Sequence, residues 1–230
     1  MKNDQYVRPH TGLRWSFFIV GLTLLGLGIS LTMQVRVFGI GPWDVLHYGL
    51  YKQLGLTVGT WSIIAGLLIV IISSIVLRTF PKIGTILNMV LIGVFIDFFN
   101  WILPEPSWLL NQVIFFVAGT MITALGIGVY VAADIGAGPR DSLMLILTDK
   151  LQWKVSTVRN GIEVTVALLG WMLGGPVGIG TVFIALFLGS FVGYSLPLSK
   201  RLLNFLMKKG ESYENFYKGP LRPDHHDRIG

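Results

Sequence analysis

A chain of 230 residues that is 53% hydrophobic and only 13% charged, with a mean hydropathy of +0.67, does not read as a soluble domain, which is usually about 25% charged. Cysteine is absent, which excludes a disulfide framework, a thiol nucleophile and a cysteine-held metal. The net charge of +6 would suggest nucleic acid in a soluble protein. Here the basic residues stand beside apolar runs and in the tail, so the positive-inside rule accounts for them and no nucleic-acid partner is expected.

Residues 1–14 are polar and basic, with Lys2, Arg8 and Arg14. A first apolar span follows over 15–33. Gln34-Val35-Arg36-Val37 comes after it instead of a small-residue cleavage site, which argues against a removable signal peptide. Gly39-Ile40-Gly41-Pro42-Trp43-Asp44 then opens a short helix that reaches Leu54 and carries His47 and Lys52. Pro at the first helical position loses no needed N–H. Asp in the first turn is favoured by the helix dipole. About a dozen residues are too few to cross a bilayer, which takes about 20. A second span covers 60–77 and ends in a basic turn at 78–82. The third span, 83–103, contains Asn88, Asp97 and Asn100. A loop without positive charge, 104–107, leads to a fourth span over 109–133.

Gly136-Ala137-Gly138-Pro139-Arg140-Asp141 opens a second short helix, to Leu151. The fifth span, 158–173, is short and polar at its start, with Arg159, Asn160 and Glu163. The sixth covers 178–196 and is expected to end at Pro197 and Lys200-Arg201. A basic interfacial helix over 202–209 and a polar tail with His225-His226 complete the chain.

The pattern of span, short helix, span, span is written twice. Both octets read G-x-G-P-x-D-x-L, and 138 minus 41 gives an offset of 97. Phe17-Phe18 and Gly21 reappear as Phe115-Phe116 and Gly119, and Ile83-Gly84-Thr85 as Ile179-Gly180-Thr181, so the offset drifts between 98 and 96. If the short helices crossed, Arg78 and Lys82 would lie outside, and Asp44, His47 and Lys52 would pass through lipid at several kcal/mol. The sequence therefore predicts an all-α integral membrane protein of six transmembrane helices plus two short re-entrant helices, arranged as two inverted-topology repeats. Residues 1–14 form the cytoplasmic N-terminus, 15–103 and 104–198 the two repeats, and 199–230 a cytoplasmic basic helix and tail.

The two Gly-Pro-x-Asp motifs, Gly39–Asp44 and Asp134–Asp141, together with Pro176-Val177-Gly178-Ile179-Gly180-Thr181, carry a resemblance. Over about 14–198 the chain resembles the YczE/YyaS/YitT group of bacterial multi-spanning membrane proteins, and within it the YczE branch. The resemblance implies a bacterial inner-membrane protein, of a group sometimes associated with secondary-metabolite gene clusters. It carries over no catalytic or substrate residue.

Half-helices whose N-termini meet at membrane depth are a recurring plan of secondary transporters. Gly39, Gly41, Asp44, Gly136, Gly138 and Asp141 are the candidate substrate site, weighed against simple capping by each Asp. Asp97, Glu163 and His47 are candidate coupling groups, since ionisable residues within membrane segments are functional candidates by default. For each there is a plainer role: Asp97 as a shallow carboxyl beside Asn100, Glu163 paired with Arg159, His47 facing the membrane surface. Gly170/Gly174 and Gly189/Gly193 have the spacing for close helix approach, within one bundle or in a homodimer. No Walker loop or acid/base constellation appears, so neither an enzyme, a cofactor nor a bound metal is expected. The first expectation is a small secondary transporter or exporter of a polar or anionic metabolite, with membrane lipids around it. The alternative is a non-transporting factor that scaffolds a biosynthetic assembly. A polar cavity between the two motifs would favour transport, and a dry packed centre scaffolding.

Overall fold

The structure, a computed structural model, describes residues 11–136 and 138–217, the side chains of 141, 142, 145 and 209–217 excepted. The basic N-terminal residues 1–10, Ala137 and the tail with His225-His226 lie outside the described residues, as does the Asp141 side chain. The described residues form eight α-helices and a short 3-10 turn, with no strand. They are α1 (Thr11–Met33), the turn Arg36–Phe38, α2 (Pro42–Leu54), α3 (Val58–Leu77), α4 (Ile83–Ile102), α5 (Leu109–Ala132), α6 (Pro139–Leu151), α7 (Val155–Met172) and α8 (Ile179–Tyr217).

Five of these, α1, α3, α4, α5 and α8, are long and apolar enough to cross a membrane. α7 has 18 residues, with Arg159, Asn160 and Glu163 in its first half, and is not among them. The exposed faces of the long helices carry large apolar side chains, such as Leu68, Ile72 and Ile75 on α3 and Val182 and Leu186 on α8. In water a patch of this extent would be an aggregation liability; in a bilayer it is the solvated surface. Trp101, Trp108, Trp153 and Trp171 are exposed at or just beyond helix ends, where an aromatic belt belongs. The chain is an all-α, multi-pass membrane protein.

The short helices form for the reasons their sequences give. Pro42 and Pro139 each stand in the first turn, after Gly41 and Gly138 in extended conformation. α2 ends at Gly55, whose φ of 76° is the left-handed backbone glycine adopts without strain. α1 and α5 make the most extensive helix pair. A Cβ on Gly28 would strike Thr123 and the Gly119 carbonyl, and one on Gly126 would strike Leu25. Small residues thus let these backbones approach, the usual basis of helix association in lipid. α4 packs on α1, and α8 on α5; α2 packs against α7, and α6 against α3.

One expected boundary is not observed. Pro197 does not end α8, which continues to Tyr217. Buried residues recur at Ser195, Ser199 and Leu203, a four-residue spacing that keeps one face of α8 packed beyond the proline. Ser195 Oγ donates to the Leu125 carbonyl of α5 at 3.4 Å. The stretch expected as a separate interfacial helix, 202–209, lies within α8. Tertiary packing offsets the one hydrogen bond that Pro197 removes, as is common in membrane helices.

Two sets of contacts define opposite ends of the molecule. At one end Arg14 donates to the Ala133 carbonyl at 3.1 Å, and Thr11, Lys82 and Asp134 lie in the same recess. At the other, Arg36 pairs with Glu105 and donates to Tyr48 Oη at 2.7 Å. There too Gln53 of α2 donates to the Leu173 carbonyl at 2.9 Å, and Lys52 lies beside Gly174.

Candidate functional site

Each Gly-x-Gly-Pro turn is seated on the first turn of a longer helix. Gly39 has φ +86°, and a Cβ there would strike Gly178 and Thr181 at the start of α8. A Cβ on Gly136 would likewise strike Gly84 and Thr85 at the start of α4. These two glycines fix where the short helices begin. The starts themselves open onto a common cavity of about 400 Å³ at the centre of the fold.

The lining of that cavity obeys the sequence repeat. From α1 and α5 come Leu25 and Thr123, Ile29 and Ile127, Thr32 and Tyr130, each pair offset by 98. The short helices supply Gly41 and Gly138, Pro42 and Pro139, Trp43 and Arg140, His47 and Met144, each offset by 97. α3 and α7 supply Ser62 and Arg159, Ala65 and Ile162, Gly66 and Glu163, again offset by 97. α4 and α8 supply Asn88 and Ile184, Met89 and Ala185, Ile92 and Leu188, offset by 96. Apart from Gly41/Gly138, Pro42/Pro139 and Ile29/Ile127, the matched positions carry unlike side chains, so the lining pairs in sequence offset but differs in chemistry.

Its imidazole and the charged side chains that line it, Asp44, Arg140, Arg159 and Glu163, stand on the short helices and α7. Asp44 is 6% exposed and His47 1%, with Nδ1 of His47 4.0 Å from Oδ1 of Asp44. That separation exceeds a hydrogen bond. Asp44 Oδ1, both ring nitrogens of His47 and Nδ2 of Asn88 are buried without a hydrogen-bond partner. The Trp43 ring lies beside His47, with centroids 6.4 Å apart. The Arg140 guanidinium stands 4.9 Å from the Trp43 centroid, within range of a cation–π contact. Arg159 Nε and Glu163 Oε1 are 3.0 Å apart on α7. Unpartnered buried polar atoms are costly, about 1–3 kcal/mol each, and in native proteins each calls for an explanation.

The sequence-derived candidates therefore divide. Gly41, Asp44, His47, Gly138 and Glu163 line the cavity. Gly39 and Gly136 stand behind it as packing positions. His47 is buried in the core, not turned to the membrane surface, because α2 folds inward against α7, where Gly49 and Gly170 allow close approach. The plainer expectation for Glu163 is met by its ion pair with Arg159. Asp97 does not line the cavity. Its carboxylate accepts from the Gly59 N–H at 2.8 Å and the Thr57 hydroxyl at 2.5 Å, at the start of α3. Asn100, the expected partner of Asp97, instead reaches Met33 Sδ at 3.4 Å.

Sequence reasoning missed Trp43 and Arg140 as site residues, and Asn88 as a lining group. Trp43 and Arg140 are the variable x of G-x-G-P-x-D, which repeat matching passes over because they differ. Asn88 was visible as an amide inside an apolar span, a signal that its burial at 1% exposure makes informative.

Residues 12–197 match a family model described as a family of unknown function, DUF6198. The chain is 51% identical to the Bacillus subtilis membrane protein YczE, described as uncharacterized, over 86% of this chain and 92% of that protein. It is 34% identical to an uncharacterized protein of Haemophilus influenzae, over 81% of this chain and 85% of that one. It is 28% identical to the uncharacterized protein YyaS of Bacillus subtilis, over 87% of this chain and 100% of that one. No solved structure matches it.

Proposed function

The chain belongs to the YczE-type family of membrane proteins, DUF6198, and we propose that it is a small secondary transporter or exporter of a polar or anionic metabolite, held in the central cavity. The observation that carries this reading is the cavity itself: about 400 Å³, open to both Gly-Pro helix starts and holding buried polar atoms without partners. A scaffolding protein has no need of such a space, and a dry packed centre would have favoured that role. The first N–H groups of a helix lack intrahelical acceptors and carry the positive end of its dipole, so two starts facing one cavity suit an anionic group.

Within this reading the chain crosses the bacterial inner membrane six times, α7 being the sixth span, with both termini cytoplasmic. α2 and α6 enter from opposite faces and turn back. The contacts at Arg36 and Lys52 support this for α2, since both of its flanks lie at the Glu105–Gly174 end of the molecule. The paired lining at offsets 98, 97 and 96 supports two repeats around one site. Arg159 and Glu163 are tolerable in α7 because they pair with each other and line the cavity.

The test compares metabolites in cells and medium with the protein, without it, and with Ala65→Phe, which fills the cavity from α3. A small polar or anionic compound should be redistributed by the native chain and not by the filled variant at equal membrane abundance. Redistribution that survives the filling would remove the cavity from the function.

A further inference from the structure

We infer that Asp44 and His47 form the proton site of this carrier, and that the substrate is an anion of modest size that travels with the proton. The inference rests on the carrier reading and deepens it.

The geometry singles out this pair. It is the place in the cavity where a carboxylate and an imidazole face each other, 4.0 Å apart, with three of their polar atoms buried and unpartnered. An atom about 2.8 Å from both Oδ1 and Nδ1, a normal hydrogen-bond length, subtends about 90° between them. A water, a hydroxyl or a proton-bearing substrate group can therefore bridge the two, whereas a direct bond needs α2 to tighten by one side-chain rotation. Carboxylate and imidazole each take up and release a proton at one atom, and here the two atoms that would do so face each other.

The sign of the coupling follows from the charge of the proton. The charged or titratable groups lining the cavity around the pair are Arg140 on α6, Arg159 and Glu163 on α7, and Tyr130 on α5; the Asp141 side chain lies outside the described residues. α3, α4 and α8 offer only apolar residues, Ser62 and Asn88. Arg159 and Glu163 already neutralise each other. A proton arriving from water on one side makes the Asp44–His47 pair one charge more positive, and leaves to water on the other. An anion in the same cavity is held more tightly while the proton is present, and by linkage the proton is held more tightly while the anion is present. On the scale on which a cavity of about 150 Å³ takes benzene, this one takes a molecule of roughly 15 non-hydrogen atoms. Leu25, Ile29, Ile92 and Leu188 give that molecule an apolar wall.

The experiment has two arms on the full chain. In detergent, a proton on the Asp44–His47 pair changes the quenching of the adjacent Trp43, so the fluorescence lost in Trp43→Phe should show one pH-dependent transition. That transition should vanish in His47→Gln, move in Asp44→Asn, and persist unchanged in Asp97→Asn, which lies outside the cavity. In liposomes with an entrapped pH dye, the anion-exchange fraction of a cell extract is added outside, and luminal anions are read by mass spectrometry. Wild-type protein should acidify the lumen as an anion enters; Asp44→Asn and His47→Gln should fall to the rate of protein-free vesicles. Absence of the transition, or acidification retained in both variants, would overturn the proton site. Anion entry without acidification would overturn the coupling and leave the carrier reading standing. No anion movement at all would sink the carrier reading and this inference with it.

Discussion

At the scale of single residues, the carboxylates of this chain have separated into different jobs. Asp44 sits in the cavity with an unpartnered oxygen, while Asp97 caps a neighbouring helix through Gly59 and Thr57. Thr57 is itself the N-cap of α3 and accepts from the Thr60 N–H, so Asp97 completes a small network at that helix start. Asp97→Ala leaves the part-buried Gly59 N–H without its acceptor, which costs about 1–3 kcal/mol. A lower melting temperature in detergent should report that loss, and Asp97→Asn, which keeps an acceptor, should lose less. Equal melting of the alanine variant and the native chain would show that the network is idle.

At the scale of elements, the short helices matter most. α2 and α6 are 13 residues each, about 20 Å at 1.5 Å per residue, which falls short of the roughly 30 Å hydrocarbon layer. On the re-entrant reading, α2 begins and ends on the outer side and α6 on the inner side. The chain has no cysteine, so single cysteines need no prior background removal. Impermeant thiol reagents should label Lys52→Cys and Ser107→Cys in intact cells and spare Thr79→Cys and Lys154→Cys. External labelling at Lys154 or Thr79 would mean that a short helix crosses and that the repeats are parallel.

At the scale of the whole molecule, two helix pairs that match in sequence order are packed differently. α3 and α4 are sealed together: a Cβ on Gly59 would strike the Gly93 carbonyl and the Asp97 carboxylate. Their counterparts α7 and α8 hardly touch. A Cβ on Gly189, which matches Gly93, would meet among the described residues only the Arg159 guanidinium within 4 Å, no closer than 3.9 Å. On the inverted-repeat reading the seal lies toward the outer side and the gap toward the inner side, so the cavity communicates inward. Transport would then require the seal to open as the gap closes. The Thr57→Cys/Asp97→Cys double variant places two thiols where side chains now hydrogen-bond. Oxidised, it should stop transport; reduced, it should transport again. Equal rates in both forms would rule out movement between α3 and α4.

The amino-acid sequence by itself determined the all-α membrane class and where the two short helices begin and end. These depend on local chemistry: apolar runs of span length, Pro at a helix start, Gly at close approaches. α2 and α6 run from Pro42 to Leu54 and from Pro139 to Leu151, as the Gly-Pro starts and the run lengths imply. Pro197 was misleading because its local penalty is small beside the packing of Ser195, Ser199 and Leu203. Only the tertiary structure decided which polar residues share a space. The tight seat of Gly39 on α8 and of Gly136 on α4 aims both short helices at one cavity, where Asp44 and His47 meet Arg140, Asn88 and Glu163. Those five residues stand on four different helices, and no spacing along the chain encodes a distance across the bundle.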